Sequence, residues 1–294
     1  MTAFLQTPAA PQQRHEAFLK RCATLGITLD RRLFWYHTVE LDSELVTPGS
    51  FDYRRHVADF HFPSDMRNMR ALDVGPATGF FAFEFERRGA AVATVELPSL
   101  QAWDHFPGEA SDQIIRKMRA LMPYHQVWSA AEINDLFDNS TAEELYGYLL
   151  DAPFKFCHGR LRSRVRRHYA TIYDLANLDL DGSFDLVFVG DVLLHTINPL
   201  AALAAAAAQC RGEMIIAQQI PDGAGSAPML TFVGGERQGE DAAVWWTPNL
   251  AWFTTVLRRL GFATVQVTGR FAHTVHPAGH LVTTTVISAR RGPA

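Results

Sequence analysis

The sequence predicts an α/β protein built on a mostly parallel sheet that closes with a C-terminal antiparallel hairpin. Three observations carry that expectation. From Ala71 onward, β-rich runs alternate with helical patterns, the arrangement that covers a parallel sheet on both faces. The stretch "ALDVGPATGFFAFEFERRGAAVATVEL", 71–97, has the pattern of a strand, a tight loop, a helix and a second strand ending in an acid. The last two β-rich runs, "ATVQVTG" and "HLVTTTVIS", are joined by a link too short for a helical crossover, so they must pair antiparallel.

Taken in order, residues 1–11 read as a loose tail, and "QQRHEAFLKRCATLG", 12–26, as an amphipathic helix ended by Gly26. "LFWYHTVEL", 33–41, is β-rich and aromatic, and "TPGSFDYRRHVADF" supplies a turn and a short helix. "RALDVG" is an apolar strand, "GFFAFEFERRG" a helix closed by Gly89, and "AAVATVEL" the next strand. "RRHYATIYDL" and "FDLVFVGD" follow as strands, then the helix "PLAALAAAAAQC", the strand "EMIIAQQI" and the helix "NLAWFTTVLRRLGF", ended by Gly261. About 55 residues after Leu97 are more than this alternation needs. They contain three helical patterns, "ASDQIIRKMRALM", "SAAEINDLF" and "STAEELYGYLL", the last with Ser140 or Thr141 as N-cap and a glutamate close behind. This reads as a helical insertion into one domain, because it is short and interrupts the strand order.

Composition narrows the function. The 294 residues are 48% apolar and 20% charged with a net charge of −4, which fits a globular protein without a global basic field for nucleic acid. Cys22, Cys157 and Cys210 are too scattered and odd in number for a disulfide framework or a zinc site, which fits a reducing, cytoplasmic setting. The N-terminal residues lack a basic start followed by an apolar run, so no signal peptide is expected. The longest apolar run, "PLAALAAAAA", is about half a membrane span.

The opening stretch also points to a ligand. Its three glycines, Gly75, Gly79 and Gly89, fail the G-x-G-x-x-G spacing. Still, a loop at the carboxyl end of a parallel strand is where such sheets bind ligands, and Gly75 and Gly79 permit close backbone approach. The following helix start offers free N–H groups to an anion. Glu96, ending the second strand, is placed to take the two hydroxyls of a ribose and to repel a 2′-phosphate. A nucleoside with an attached anionic group fits.

These residues, together with "ATIYDL" and "DGSFDLVFVGDVLLHTINPLAAL", resemble the motifs of class I S-adenosylmethionine-dependent methyltransferases. "WWTPNLAWFTTVLRRLGF" and "WYHTVELDSELVTPGSFDYR" are similar to one branch of that family, which includes enzymes modifying the wobble uridine of tRNA and many small-molecule methyltransferases. The resemblance covers most of 33–290 apart from the insertion and implies a Rossmann-like methyltransferase sheet; the chain reads as a single domain, 1–294, with 1–60 as an N-terminal cap segment and the insertion, 101–152, as a lid. It implies S-adenosylmethionine as cofactor, with Asp73, Gly75 and Gly79 around the methionine part, and Glu96 at the ribose. Thr171, Ile172 and Tyr173 would lie beside adenine, and Gly190 and Asp191 under the sulfonium end. The family loop more often carries a third glycine where this chain has Ala77.

Candidates for the chemistry follow from position. His195 lies just after the fourth strand and could take a proton near neutral pH, or be a packed helix-start residue. Asp191 is the second catalytic candidate. Tyr36, His37, Trp245, Trp246 and Asn249 are the candidate substrate contacts, the tryptophans as an aromatic wall or as packing, Asn249 as a contact or as an N-cap. The five arginines of "RLRSRVRR", 160–167, read as the solvated face of a helix before the third strand. His273, His276 and His280 read as hairpin-loop residues without a metal. The expectation is a transferase for a small-molecule substrate, acting by in-line displacement, with no nucleic-acid partner and no membrane. The rival readings are a tRNA wobble-uridine modifying enzyme and a non-methylating S-adenosylmethionine enzyme. Substrate, acceptor atom and oligomeric state are left open.

Overall fold

The computed structural model describes residues 11–221 and 225–292; the expected tail, apart from residue 11, lies outside them. Nine strands and eight α-helices are present among these residues. Strands β1 (Arg70–Val74), β2 (Ala91–Glu96), β3 (Arg166–Tyr169), β4 (Phe184–Gly190) and β5 (Cys210–Gln218) form the parallel part of the main sheet. Short β6 (Leu230–Phe232) and β7 (Trp246–Pro248) pair with each other as a separate ribbon. Strands β8 (Phe262–Val275) and β9 (His280–Arg291) form the expected hairpin, with β9 antiparallel to β5. The sheet order is β3-β2-β1-β4-β5-β9-β8. This is the mostly parallel sheet with an antiparallel end that the methyltransferase resemblance implied.

Alternation along the strands explains why both faces are covered. Ala71, Leu186, Phe188, Ile215, Ala217 and Val286 enter one core; Leu72, Val74, Val187, Val189, Met214, Ile216 and Ile287 enter the other. The first core is filled by α1 (Pro11–Thr24), α2 (Phe80–Arg87) and the aromatic N-terminal segment. The second is filled by α7 (Pro199–Ala208) and α8 (Leu250–Arg259). Pro199 at its first turn and the Asn198 side chain on the Ala201 amide start α7.

The insertion folds as α3 (Gln113–His125), α4 (Ala130–Asp138) and α5 (Ala142–Tyr146) around its own small core. Capping boxes at Ser129 with Glu132 and Thr141 with Glu144 start α4 and α5, so Thr141 is the cap. A π-helical turn at Gly147–Asp151 then runs into α6 (Ala152–Leu161), so position 152 lies inside a continuous helical stretch.

One β-rich segment is specified and two expectations are corrected. Residues 33–41 join no sheet; they make only isolated bridges, His37 with Phe51 and Glu40 with Val46. Several of their backbone groups pair along 45–51, while the Phe34 amide donates to the Tyr148 carbonyl and the Tyr36 and His37 amides to the Thr78 hydroxyl, so the β-rich composition serves an extended cap. The strand within "RRHYATIYDL" stops at Tyr169, and Ile172–Asn177 is a 3₁₀ turn, with the Thr171 hydroxyl donating to Asp174 at 2.6 Å. The arginine run is not one helical face: α6 ends at Leu161, Arg162 is left-handed (φ 51°), and Arg166 opens β3.

The outermost strand, β8, is bulged between Val267 and Gly269. Gly269 sits so close to the 3₁₀ turn Val57–Phe60 that a Cβ there would lie 2.0 Å from the Asp59 carbonyl oxygen.

Candidate functional site

The sheet order reverses at β1 and β4, whose crossover helices leave in opposite directions, and this opens a crevice at their carboxyl ends. A cavity of ≈ 240 Å³ starts there and runs under the cap. Its strand-end half is lined by Asp73, Gly75, Ala77, Glu96, Thr171, Ile172, Tyr173, Gly190 and Asp191. Its cap half is lined by Tyr36, His37, Tyr53, Phe81, His125 and His195, among others.

The loop after β1 is shaped by backbone conformation. Gly75 (φ 70°) and Gly79 (φ 98°) are left-handed, and so is Ala77 (φ 48°), in the place where a third glycine is more usual. An L-residue pays for that conformation, and Glu96 offsets part of the cost by accepting the Ala77 N–H at 3.2 Å. Glu96 also accepts from the Leu97 N–H at 2.9 Å, and Arg167 Nη2 lies 3.7 Å from it. Burial raises the Glu96 pKa, with Arg167 and the two amides acting against it. A carboxylate has about four acceptor positions, so two remain for a diol. Asp73 is more isolated. Its Oδ2 has no partner among the described residues, and burial pushes its pKa up to about 8. Gly79 does not line the cavity: it precedes α2, and a Cβ there would meet Phe83 at 2.5 Å. Thr78 ties this loop to the cap, its hydroxyl accepting from the Tyr36 and His37 amides at 3.1 and 3.2 Å.

Asp191 follows β4 in a left-handed conformation (φ 48°), one of the sparsely populated geometries that concentrate at functional sites. Its Oδ1 is unpartnered among the described residues, and burial raises its pKa to about 7. Burial first, then the Asp191 charge, raise the Tyr36 and Tyr53 phenols. Burial lowers His37 to about 3 and His125 to about 4, and also lowers His195, so all three imidazoles are neutral at pH 7. His195 Nδ1 lies 2.6 Å from the Ala243 carbonyl oxygen. A carbonyl only accepts, so Nδ1 carries the proton and Nε2 is the ring's free base.

The other predicted substrate contacts lie elsewhere. Trp245 is buried beneath the cavity wall and Trp246 Nε1 donates to the Ile197 carbonyl at 2.9 Å; neither lines the cavity. Asn249 caps α8, accepting from the Trp252 and Met229 amides at 2.8 and 3.0 Å. Of the hairpin histidines, His273 Nε2 contacts the Thr284 hydroxyl at 3.0 Å. No cluster of three potential metal ligands occurs among the described residues.

Lining residues not anticipated from sequence include Tyr53, Trp103, Asp104 and His125. Asp104 accepts from the Tyr173 hydroxyl and, at 2.6 Å, from the Ile197 amide, which pins the start of the insertion to the loop after β4. The acid was visible in the sequence, but nothing local tied it to residues about 70 and 90 positions away.

No protein-family model and no curated protein matches the chain. Solved structures do resemble it. The N-terminal domain of EvdMO1, in the presence of SAH and D-fucose, is 18% identical over 88% of this chain and 91% of that one, with a TM-score of 0.46. The 1,6-didemethyltoxoflavin-N1-methyltransferase of Burkholderia thailandensis, with bound 1,6-didemethyltoxoflavin and S-adenosylhomocysteine, is 17% identical over 77% and 72%, with a TM-score of 0.44. CrArsM, an arsenic(III) S-adenosylmethionine methyltransferase of Chlamydomonas reinhardtii, is 16% identical over 79% and 66%, with a TM-score of 0.42.

Proposed function

We propose that this chain is an S-adenosylmethionine-dependent methyltransferase acting on a small molecule enclosed between the sheet and its cap. The observation that carries the reading is one continuous cavity at the switch point of the sheet. It joins a nucleoside-type cradle to a chamber of aromatic rings with two proton-accepting groups. The cradle fits the cofactor: Glu96 has acceptor positions left for a ribose, Gly75 brings the backbone close, and the unpartnered Asp73 Oδ2 needs a donor. Bound S-adenosylmethionine supplies a methyl group on a positive sulfonium. Tyr36, Tyr53 and Phe81 hold the acceptor, and Asp191 or His195 Nε2 receives its proton. The insertion, which lends Met118, Met122 and His125 to the chamber, acts as the lid that excludes water.

The lining charges support a neutral or cationic acceptor. Asp73, Glu96, Asp104 and Asp191 are its acidic residues, the pKa values of Asp73 and Asp191 raised by burial to about 8 and about 7, and no Lys or Arg lines the cavity among the described residues. An anionic acceptor or an RNA phosphate finds no counter-charge inside, so the small-molecule reading is favoured over tRNA. No helix among the described residues is long and apolar enough to cross a membrane. Three free, buried cysteines support residence in a reducing cytoplasm.

Calorimetry with S-adenosylhomocysteine tests the reading. The wild type should bind, and Glu96→Ala should lose about 1–3 kcal/mol of affinity as the ribose bonds go. Gly75→Val should abolish binding, because its Cβ would already lie 2.8 Å from Val192 and its φ of 70° disfavours a branched residue. Unchanged affinity in both variants would remove the site.

A further inference from the structure

Lys117 lies on α3, in the insertion, and is buried in company that the proposed chemistry does not use. Its Nζ is 2.7 Å from Asp241 Oδ1 and 3.2 Å from Glu109 Oε2, and the three side chains are 7%, 1% and 2% exposed. The Trp245 ring centre is 4.7 Å away. An ammonium is retained in such a place only when paired, and its loss leaves two carboxylates uncompensated.

The same Asp241 oxygen accepts the Ala243 N–H at 2.9 Å. That bond folds the chain back at Ala243, which is left-handed at φ 56°. A non-glycine residue stays there only when its surroundings over-determine it. Turned this way, Ala243 presents its carbonyl to His195 Nδ1 at 2.6 Å. The next bond in the series, Trp245 N–H to the Leu194 carbonyl at 2.9 Å, holds the two segments in register.

We infer that Lys117 is a positioning residue for His195: docking of the insertion, through Asp241 and Ala243, fixes the Nδ1–H tautomer and so keeps Nε2 free as a base. The inference rests on reading the cavity as an active site. It gives the insertion a second task, since closing the lid and setting the base become one event. When α3 leaves, the Asp241 turn loses its ammonium, the Ala243 carbonyl is released, and the imidazole is free to exchange tautomers. The proton acceptor is then assembled only in the closed, water-excluded state.

The test needs no substrate. Ligand-free protein labelled with ¹⁵N-histidine is examined by long-range ¹H–¹⁵N NMR, with the His195 ring assigned by His195→Gln. The wild type should show a pyrrole-type Nδ1 and a pyridine-type Nε2. Lys117→Met, folded by circular dichroism, should show both tautomers in exchange. Asp241→Ala, which leaves Lys117 paired with Glu109, should do the same and serves if Lys117→Met does not fold. An Nε2–H tautomer in the wild type, or an unaltered Nδ1–H signature in a folded variant, overturns the coupling. Calorimetry with S-adenosylhomocysteine on the same samples keeps the two readings apart. Absent binding with an intact tautomer switch sinks the methyltransferase reading and leaves the coupling standing.

Discussion

The two halves of the cavity are built by different means. The strand-end half comes from short stretches that carry their own instructions: a strand, a left-handed loop, and an acid one position past the last residue paired with that strand. The cap half takes Tyr36 and Tyr53 from the N-terminal segment, His125 from the insertion, His195 and Ala243 from two loops, and Thr284 from β9. The first half is anchored by the sheet's own hydrogen bonds; the second stands on contacts between segments distant in sequence. Binding of a constant cofactor part suits the former, and adaptation to a particular acceptor suits the latter.

The sharpest way to break the comparison is at Gly49. A Cβ there would lie 2.0 Å from the His37 carbonyl carbon and 2.1 Å from the Thr38 nitrogen, backbone atoms that cannot swing aside. Gly49→Ala should force the 37–51 ring open and cost ~3 kcal/mol or more in urea denaturation. A variant with the wild-type midpoint would mean that the cap is not held by that crossing.

Next in size is the charge at Asp191. Its folded pKa of about 7 lies above an unfolded value of about 3.9. Between these values the folded state keeps a proton that the unfolded state has released, so stability falls as pH rises from about 4 to about 7 and is level above. Asp191→Asn removes that contribution. It should be more stable than the wild type by ~1–3 kcal/mol at pH 8 and indistinguishable near pH 4, read as denaturation midpoints at both values. A constant difference across pH would show that the carboxylate is not held in its protonated form.

The smallest effect belongs to the strand-end half. Ala77→Gly should relieve the left-handed strain and stabilise the protein by ~1 kcal/mol or less, since glycine's own entropy cost offsets part of the gain. A loss of stability instead would mean that the Glu96 contact, rather than the backbone preference, governs the loop.

The same contrast explains what was legible in the sequence. The loop 73–79, Glu96 and the strand after Phe184 follow from local rules of strand period, helix start and positive φ, and they stand where those rules put them. At 33–41 composition records a preference for extended chain but not its partner, here mainly residues 45–51. Asn249 stands as the helix cap that its position after Pro248 suggested, whereas the substrate-wall reading of Trp245 fails in depth. Trp245 packs over Lys117, a neighbour distant in sequence; Asn249 closes a helix start locally, on the Trp252 amide, while also holding the Met229 amide. Arg167, lost in a run that reads as solvated, is buried over the Phe154 ring at 4.2 Å, because its position in β3 turns it inward beside Glu96.

Among the described residues the main sheet has two edge strands, and they are unequal. One is the four-residue β3; the other is β8, fourteen residues long. A long edge strand is a template on which a second chain can polymerise. The bulge at Gly269 interrupts the template midway, and the Asp59 carbonyl lies against it too closely for any other residue. The cap that closes the cavity at one end thus also blunts the edge at the other. Damage to the N-terminal segment, through Gly49 or otherwise, should therefore cost the protein its solubility as well as its chamber.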